Sequence, residues 1–231
     1  MPAQHRLSLL PSEITHHQYD AAITLATIFV GDMPSTFLSA RVAAILSKNP
    51  WLKARLTATD NSQFNFEISD STALSDHYQE VNIADICENA SIECFMNTIN
   101  TPPLQPALAA LFTKQGFKCI NNDTPLFKVS LCQSDNNTFV LLVSMSHVLG
   151  DGATLYQIYK MLSQDAEIIS LTPDRDMNFQ QKLEQLNPSF SPIPAQMAVI
   201  YQKLGENNQA VDKMYQALAI SPERGMSKFN K

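Results

Sequence analysis

The stretch at residues 138–155, TFVLLVSMSHVLGDGATL, determines the predicted fold. Its apolar run at 139–143 is typical of a buried strand, and a helical pattern follows at 153–163. His147 lies between the two, so we expect a titratable side chain at the end of a rigid strand. The glycines that follow His147 allow the backbone to turn back tightly.

A histidine in this place can carry proton transfer, because free histidine titrates near pH ~6.5. It would take the proton of a hydroxyl, amine or thiol and so make that group a nucleophile. Asp151 lies where it can fix the loop by pairing with an arginine, and Gly152 allows close packing or a positive φ. The alternative is that His147 is only a structural hydrogen-bonding residue, since titratable residues often owe their positions to structure.

Residues 146–152, SHVLGDG, resemble the H-H-x-x-x-D-G signature of the chloramphenicol-acetyltransferase-like acyltransferases. That superfamily includes the condensation domains of peptide synthetases, the BAHD plant acyltransferases and the alcohol acyltransferases. The resemblance implies that His147 is the general base and that Asp151 is a structural partner. Ser146 stands where the signature has its first histidine, and many relatives keep only the second one.

The segment 49–56, NPWLKARL, carries a second resemblance to the same superfamily. It follows a helical pattern at 35–48 and precedes a predicted hairpin of strands, as in the superfamily's early motif. The resemblance implies that Arg55 pairs with Asp151, with Lys53 as the less favoured partner. An arginine–carboxylate pair can be bidentate and geometrically strict, which suits an orienting role. The alternative is that Arg55 is a solvated basic residue at the start of a strand.

The resemblance covers roughly residues 20–165 and implies an α+β fold. We expect a two-layer α/β sandwich of the chloramphenicol acetyltransferase type, with a mostly antiparallel or mixed sheet. The residue pattern predicts strands, helices and one extended segment: strands at 23–30, 80–83 and 125–132, helices at 35–48, 85–100 and 104–115, and an extended segment at 117–120.

The last third of the chain departs from the superfamily. We assign 1–165 to the acyltransferase-like domain, 166–191 to a linker and 192–231 to a helical hairpin. Residues 194–222 resemble one tetratricopeptide unit, although a generic helical hairpin would show a similar pattern. One such unit cannot bury its own apolar face, so we expect it to dock on the chain, pair with another copy or bind a protein partner.

Composition excludes several classes of function. A net charge of −6 without a cluster of basic residues argues against nucleic acid as a partner. The apolar runs are shorter than a membrane span, and the first residues lack the apolar core of a signal peptide. The four cysteines have no metal-binding spacing, which indicates reduced thiols in a cytoplasmic protein.

The sequence also predicts that no metal is bound. His16 and His17 precede Asp20 in a pattern that can be mistaken for a metal site. Adjacent histidines on a strand point to opposite faces, so we expect no ligand set there. Nothing in the sequence indicates a redox cofactor.

These observations predict an acyltransferase with His147 as general base. The resemblance implies transfer from a coenzyme A or carrier-protein thioester to a hydroxyl or amine acceptor. Two-lobed members of the superfamily have a further lobe after the histidine motif. Here the chain either forms an oligomer with its acceptor tunnel between subunits, or is a half-enzyme. The alternative is a non-catalytic, degenerate relative that acts as a scaffold through its C-terminal hairpin.

Overall fold

The computed structural model describes most of the chain as far as residue 171. The described residues are 4–9, 13–59, 64–69, 72–87, 91–100, 104–134 and 137–171. The chain divides into two units, Met1–Leu9 with His16–Leu171, and Leu10–Thr15 with Thr172–Lys231. The second unit lies almost wholly outside the described residues. The predicted hairpin at 192–231 and most of the predicted linker lie there too.

The described residues form seven strands and four α-helices. The strands are β1 (Gln4–Ser8), β2 (Ile23–Val30), β3 (Arg55–Ala58), β4 (Phe64–Ser69), β5 (Tyr78–Asn82), β6 (Phe127–Gln133) and β7 (Thr138–Met145). The helices are α1 (Ser35–Lys48), α2 (Ile92–Ile99), α3 (Pro106–Ala109) and α4 (Gly152–Met161).

The strands form two sheets, of which the larger one positions His147. Its order is β2-β7-β6-β5, with β7 antiparallel to both of its neighbours and β5 parallel to β6. The smaller sheet is antiparallel with the order β1-β4-β3. The expected hairpin that leads into the histidine motif is confirmed, because β6 pairs with β7 from Phe127↔Met145 to Gln133↔Phe139.

Strand β7 is buried on both faces. Val140 and Leu142 belong to an apolar cluster that includes Phe95 of α2. The alternate residues of β7 point to the opposite face of the sheet. There Tyr159 of α4 donates a hydrogen bond of 2.8 Å to Thr27 Oγ1 on β2. The larger sheet therefore has helices on both of its faces. The resemblance had led us to expect a sandwich of two layers, one of helices and one of strands.

The mixed architecture agrees with the predicted α+β class, and several bounds are confirmed. The structure has strand β2 at Ile23–Val30 and helix α1 at Ser35–Lys48, as predicted. The predicted helix at 104–115 is wrong beyond its first turn. After Ala110 the Leu111 and Phe112 N–H groups donate to carbonyls three residues back, and the Thr113 N–H donates to Ser144 Oγ at 3.0 Å, so the α-helical bonding does not continue to 115.

Two further expectations are corrected. Gly116–Cys119 is a 3-10 turn and not an extended segment, with the Lys118 N–H donating to the Gln115 carbonyl at 3.0 Å. The predicted helix at 85–100 is only partly right, because α2 begins at Ile92, where Ser91 caps it. Within the part of the chain that the structure describes, no helix has the length and apolar character needed to cross a bilayer.

His77 is a buried polar residue at the start of β5. Its side chain is almost fully buried, and its Nδ1–H donates to the Phe127 carbonyl at 2.8 Å. Nε2 is buried without a partner among the described residues, so a second proton there would have no acceptor. Burial therefore lowers the pKa of His77 from 6.5 to about 4.

We predict that His77 makes folding stability depend on pH. The unfolded chain binds a proton at this site between pH 6.5 and about 4 and the folded chain does not, so stability falls as pH falls through that window. The whole shift corresponds to about 3 kcal/mol. Urea unfolding of the wild type and of His77→Gln from pH 7 to 4 tests this, since the variant should lack that component. Equal losses in both proteins, or a wild-type His77 NMR titration midpoint near 6.5, would contradict it.

Candidate functional site

The backbone around His147 is held by the sheet that precedes it. Ser146 follows β7, and its N–H donates to the Leu126 carbonyl at 2.8 Å. The Leu149 N–H then donates to the Ser146 carbonyl at 2.9 Å, which closes a tight turn over residues 147–149. His147 therefore lies at the end of a fully paired strand, as the sequence predicts.

The imidazole of His147 is partly exposed and carries no hydrogen bond to another described residue. Its Nδ1 is enclosed by the protein without a partner, and so is the hydroxyl of Ser146. The ring instead stacks on the ring of His17, with centroids 5.6 Å apart and planes inclined by 9°. Within the described residues, the orientation of His147 thus depends on ring packing and not on a hydrogen-bonded acid.

His17 and Asp20 join His147 at this place, whereas the sequence interpretation rejected them as a ligand set and did not place them beside His147. Glu13–His17 forms a π-helical turn, so the expectation that the two histidines lie on a strand is wrong. His17 Nδ1 lies 3.2 Å from Asp20 Oδ2, and both side chains are partly exposed. The one feature of the sequence that indicates a contact between these two residues is their His-x-x-Asp spacing. Their proximity to residue 147 arises from the tertiary fold.

Asp151 is the N-cap of α4. Its Oδ1 accepts hydrogen bonds from the Thr154 N–H at 2.9 Å and from the Thr154 hydroxyl at 2.8 Å. The backbone N–H of Thr154 is the main reason why the pKa of Asp151 is lowered. Asp151 therefore caps the N-terminus of α4, and in this way it fixes the turn that follows His147.

The pair between Arg55 and Asp151 that the resemblance implies is not formed. Arg55 Nη2 contacts Asp76 Oδ2 at 2.8 Å, and Nε contacts Asp123 Oδ1 at 3.0 Å. Nη1 donates to the Lys53 carbonyl at 3.2 Å, so all three guanidinium nitrogens are engaged. Arg55 begins β3 in the smaller sheet, and its bonds tie that sheet to neighbouring loops.

The two glycines of the turn have different roles from those expected. A Cβ on Gly152 would meet no heavy atom within 4 Å, and its φ is not positive. The prediction that Gly152 is needed for close packing or a positive φ is therefore wrong. A Cβ on Gly150 would lie 3.0 Å from Thr154 Cγ2 and 3.2 Å from Met145 Cε. Gly150 is the position that requires a missing side chain.

Neither a protein-family model nor a curated protein matches the sequence. Solved structures share its fold. TRI101 of F. sporotrichioides, complexed with coenzyme A and T-2, has a TM-score of 0.50 at 12% identity, over 79% of this chain and 44% of that one. TRI101 of F. graminearum, complexed with coenzyme A and deoxynivalenol, has a TM-score of 0.50 at 11% identity, over 73% and 40%. The starter condensation domain of rhizomide synthetase has a TM-score of 0.48.

The likeness to TRI101 agrees with the α+β fold that the resemblance implied. At 12% and 11% identity it shows the fold alone. The chain spans less than half the length of these proteins, namely 44% and 40%.

We predict that the two glycines respond in opposite ways to alanine. Gly150→Ala should lower the free energy of unfolding by about 1–3 kcal/mol, because the new methyl group pushes against Thr154, which the Asp151 cap holds in place. Gly152→Ala should leave stability unchanged or raise it by up to about 1 kcal/mol, since alanine favours the helix. Urea unfolding measures both. A reversed order would contradict the assignment.

We predict that Asp151 contributes to stability as a cap and not through an ion pair. Asp151→Ala should cost about 1 kcal/mol, because the Thr154 N–H loses its acceptor. Asp151→Asn should keep nearly wild-type stability, because asparagine is an equally good N-cap. Chemical denaturation at pH 7 compares the three proteins. An asparagine variant as unstable as the alanine variant would show that the charge, and so an ionic partner, is required.

Proposed function

We propose that this chain takes part in acyl transfer with His147 as the general base. The imidazole takes a proton from an acceptor hydroxyl or amine, and the acceptor atom bonds to the carbonyl carbon of a thioester. The carbon–sulfur bond then breaks, and the imidazolium returns its proton to the departing thiolate. The donor is an acyl-coenzyme A or an acyl-carrier protein.

The observation that carries this proposal is the unbonded state of the His147 ring. A general base needs a free lone pair within reach of substrate and a fixed position. Neither ring nitrogen of His147 is engaged by another described residue, although Nδ1 is enclosed. The residue stands at the end of a fully paired strand and is partly exposed.

The fold supports the same reaction class. The TRI101 proteins, whose fold this chain shares at a TM-score of 0.50, are complexed with coenzyme A and with T-2 or deoxynivalenol. These ligands belong to those proteins, and their likeness favours coenzyme A as the first donor to test here. Since the sequence spans 44% of TRI101 from F. sporotrichioides, we propose that activity needs a second half, whether it belongs to a longer form of this chain, to another copy or to a partner chain.

Asp151 and Arg55 receive different roles within this proposal. Asp151 holds the turn after His147 through its bonds to Thr154. Gly150 lets that turn pack against Thr154 and Met145. Arg55 acts at a distance from this turn, through its ion pairs with Asp76 and Asp123.

We predict that His147 substitutions abolish thioester turnover. The full chain is incubated with a panel of acyl-coenzyme A donors and alcohol or amine acceptors, and free thiol is followed together with the mass of the acylated acceptor. His147→Ala and His147→Gln should each reduce turnover by about 10²–10⁴-fold, the usual contribution of a general base. Asp165→Asn, at an exposed position after α4, should keep the wild-type rate.

Circular dichroism and the solution mass of each variant exclude loss of fold or assembly as the cause. Acceptor-dependent turnover that survives in both His147 variants would contradict the role of this residue. Lack of turnover in monomer and oligomer alike would contradict the activity and favour the non-catalytic alternative.

A further inference from the structure

The cluster of His17, Asp20 and His147 has a property that general-base chemistry does not use. Each residue offers one ligand atom, and the three atoms lie within 4.8 Å of one another. All three residues belong to the first unit of the chain. From this arrangement we infer that the cluster binds a single zinc-type divalent ion through two imidazole nitrogens and one carboxylate oxygen.

The distances are close to those of a metal site. Zinc lies 2.0–2.2 Å from nitrogen and oxygen ligands, so neighbouring ligands of a tetrahedral site are about 3.3 Å apart. His17 Nδ1 and Asp20 Oδ2 are 3.2 Å apart in a hydrogen bond, which an ion would replace by displacing the ring proton. The remaining ligand atoms are at most 4.8 Å apart and must approach by up to about 1.5 Å.

The side chains that must move to bind an ion are those of His17 and Asp20, and both have room to move. His17 and Asp20 have side-chain exposures of 39% and 48%. His147 is anchored at the end of β7 and provides the fixed ligand. The rings of His17 and His147 are nearly parallel, so their lone pairs do not meet at one point. Ion binding therefore requires His17 to rotate out of the stack while Asp20 follows.

The donor set selects the class of ion. Two imidazoles and one carboxylate suit zinc and its borderline neighbours, whereas magnesium and calcium prefer oxygen ligands. Three protein ligands leave a fourth position for water. Neither ring nitrogen of His147 is engaged by another described residue, so no described residue competes with an ion for this imidazole.

Metal binding would regulate the proposed reaction, and this consequence rests on the proposed function. A nitrogen that binds zinc has no lone pair left to accept a proton. An ion on His147 therefore competes with the acceptor's proton for the same group, and the bound form of the chain is the inactive one.

The binding test uses the full chain after treatment with a chelator. Zinc is titrated against a chromophoric competitor, and cobalt serves as the spectroscopic probe, since bound cobalt absorbs in the visible range. We expect one ion per chain and visible bands typical of four or five ligands. His17→Ala and Asp20→Asn should each weaken binding at least tenfold. Asp32→Asn, which changes another exposed aspartate, should bind as the wild type does.

Three outcomes would overturn the site: no stoichiometric binding, binding that both variants retain, or loss of binding in Asp32→Asn alone, each of which would indicate an adventitious ion only. Turnover is then measured at saturating zinc and after addition of chelator, with at least a tenfold reversible loss expected. Unchanged turnover on a metal-loaded chain would overturn the regulation. Metal binding without turnover in either state would refute the acyl-transfer proposal and leave the metal site standing.

Discussion

The burial of β7 between two hydrogen-bonded neighbours is the constraint on which the other features depend. Because β2 and β6 pair with it along its length, every backbone group of β7 has a defined position. Its side chains are packed on both faces of the sheet, so a shift of its register would break the packing on both faces together with the pairing to β2 and β6. Ser146 and His147 follow directly after the strand, so their backbone is held in place as well. His147 is thus presented at a fixed place, although no residue that the structure describes forms a hydrogen bond with its ring.

Local patterns predicted the elements, and tertiary contacts explain where those predictions failed. Strand β2 and helix α1 have the bounds that their apolar spacing predicts. Helix α3 is shorter than its pattern, and the Thr113 N–H, which the pattern places inside the helix, donates to the Ser144 hydroxyl on β7. That contact joins residues far apart in sequence, and no local pattern contains it. Helix propensity predicts the end of a helix poorly where a backbone N–H has such a tertiary partner within reach.

In the turn after His147, the contacts that the structure shows differ from those that the sequence interpretation expected. The sequence interpretation expected a long-range brace between Asp151 and Arg55 and assigned the demanding backbone position to Gly152. The structure holds the turn through the short-range bonds from Thr154 to Asp151 instead, and it leaves little room for a side chain at Gly150. Arg55 satisfies its charge with Asp76 and Asp123 in another part of the fold. The contacts that hold this turn therefore differ from those that the resemblance implies.

The same feature of His147 makes it suitable both as a base and as a metal ligand. Both roles need a lone pair that no neighbour has engaged, and an imidazole held by packing alone retains it. What separates the roles is the turn that carries His17 and Asp20. With the rings stacked, the lone pairs of the two histidines diverge, and in the proposed reaction His147 is the base without help from His17. In the inferred metal site the His17 ring rotates, so that two nitrogens and a carboxylate converge on one ion. The two proposals therefore differ in the conformation of the partly exposed turn that carries His17 and Asp20, and not in the sheet.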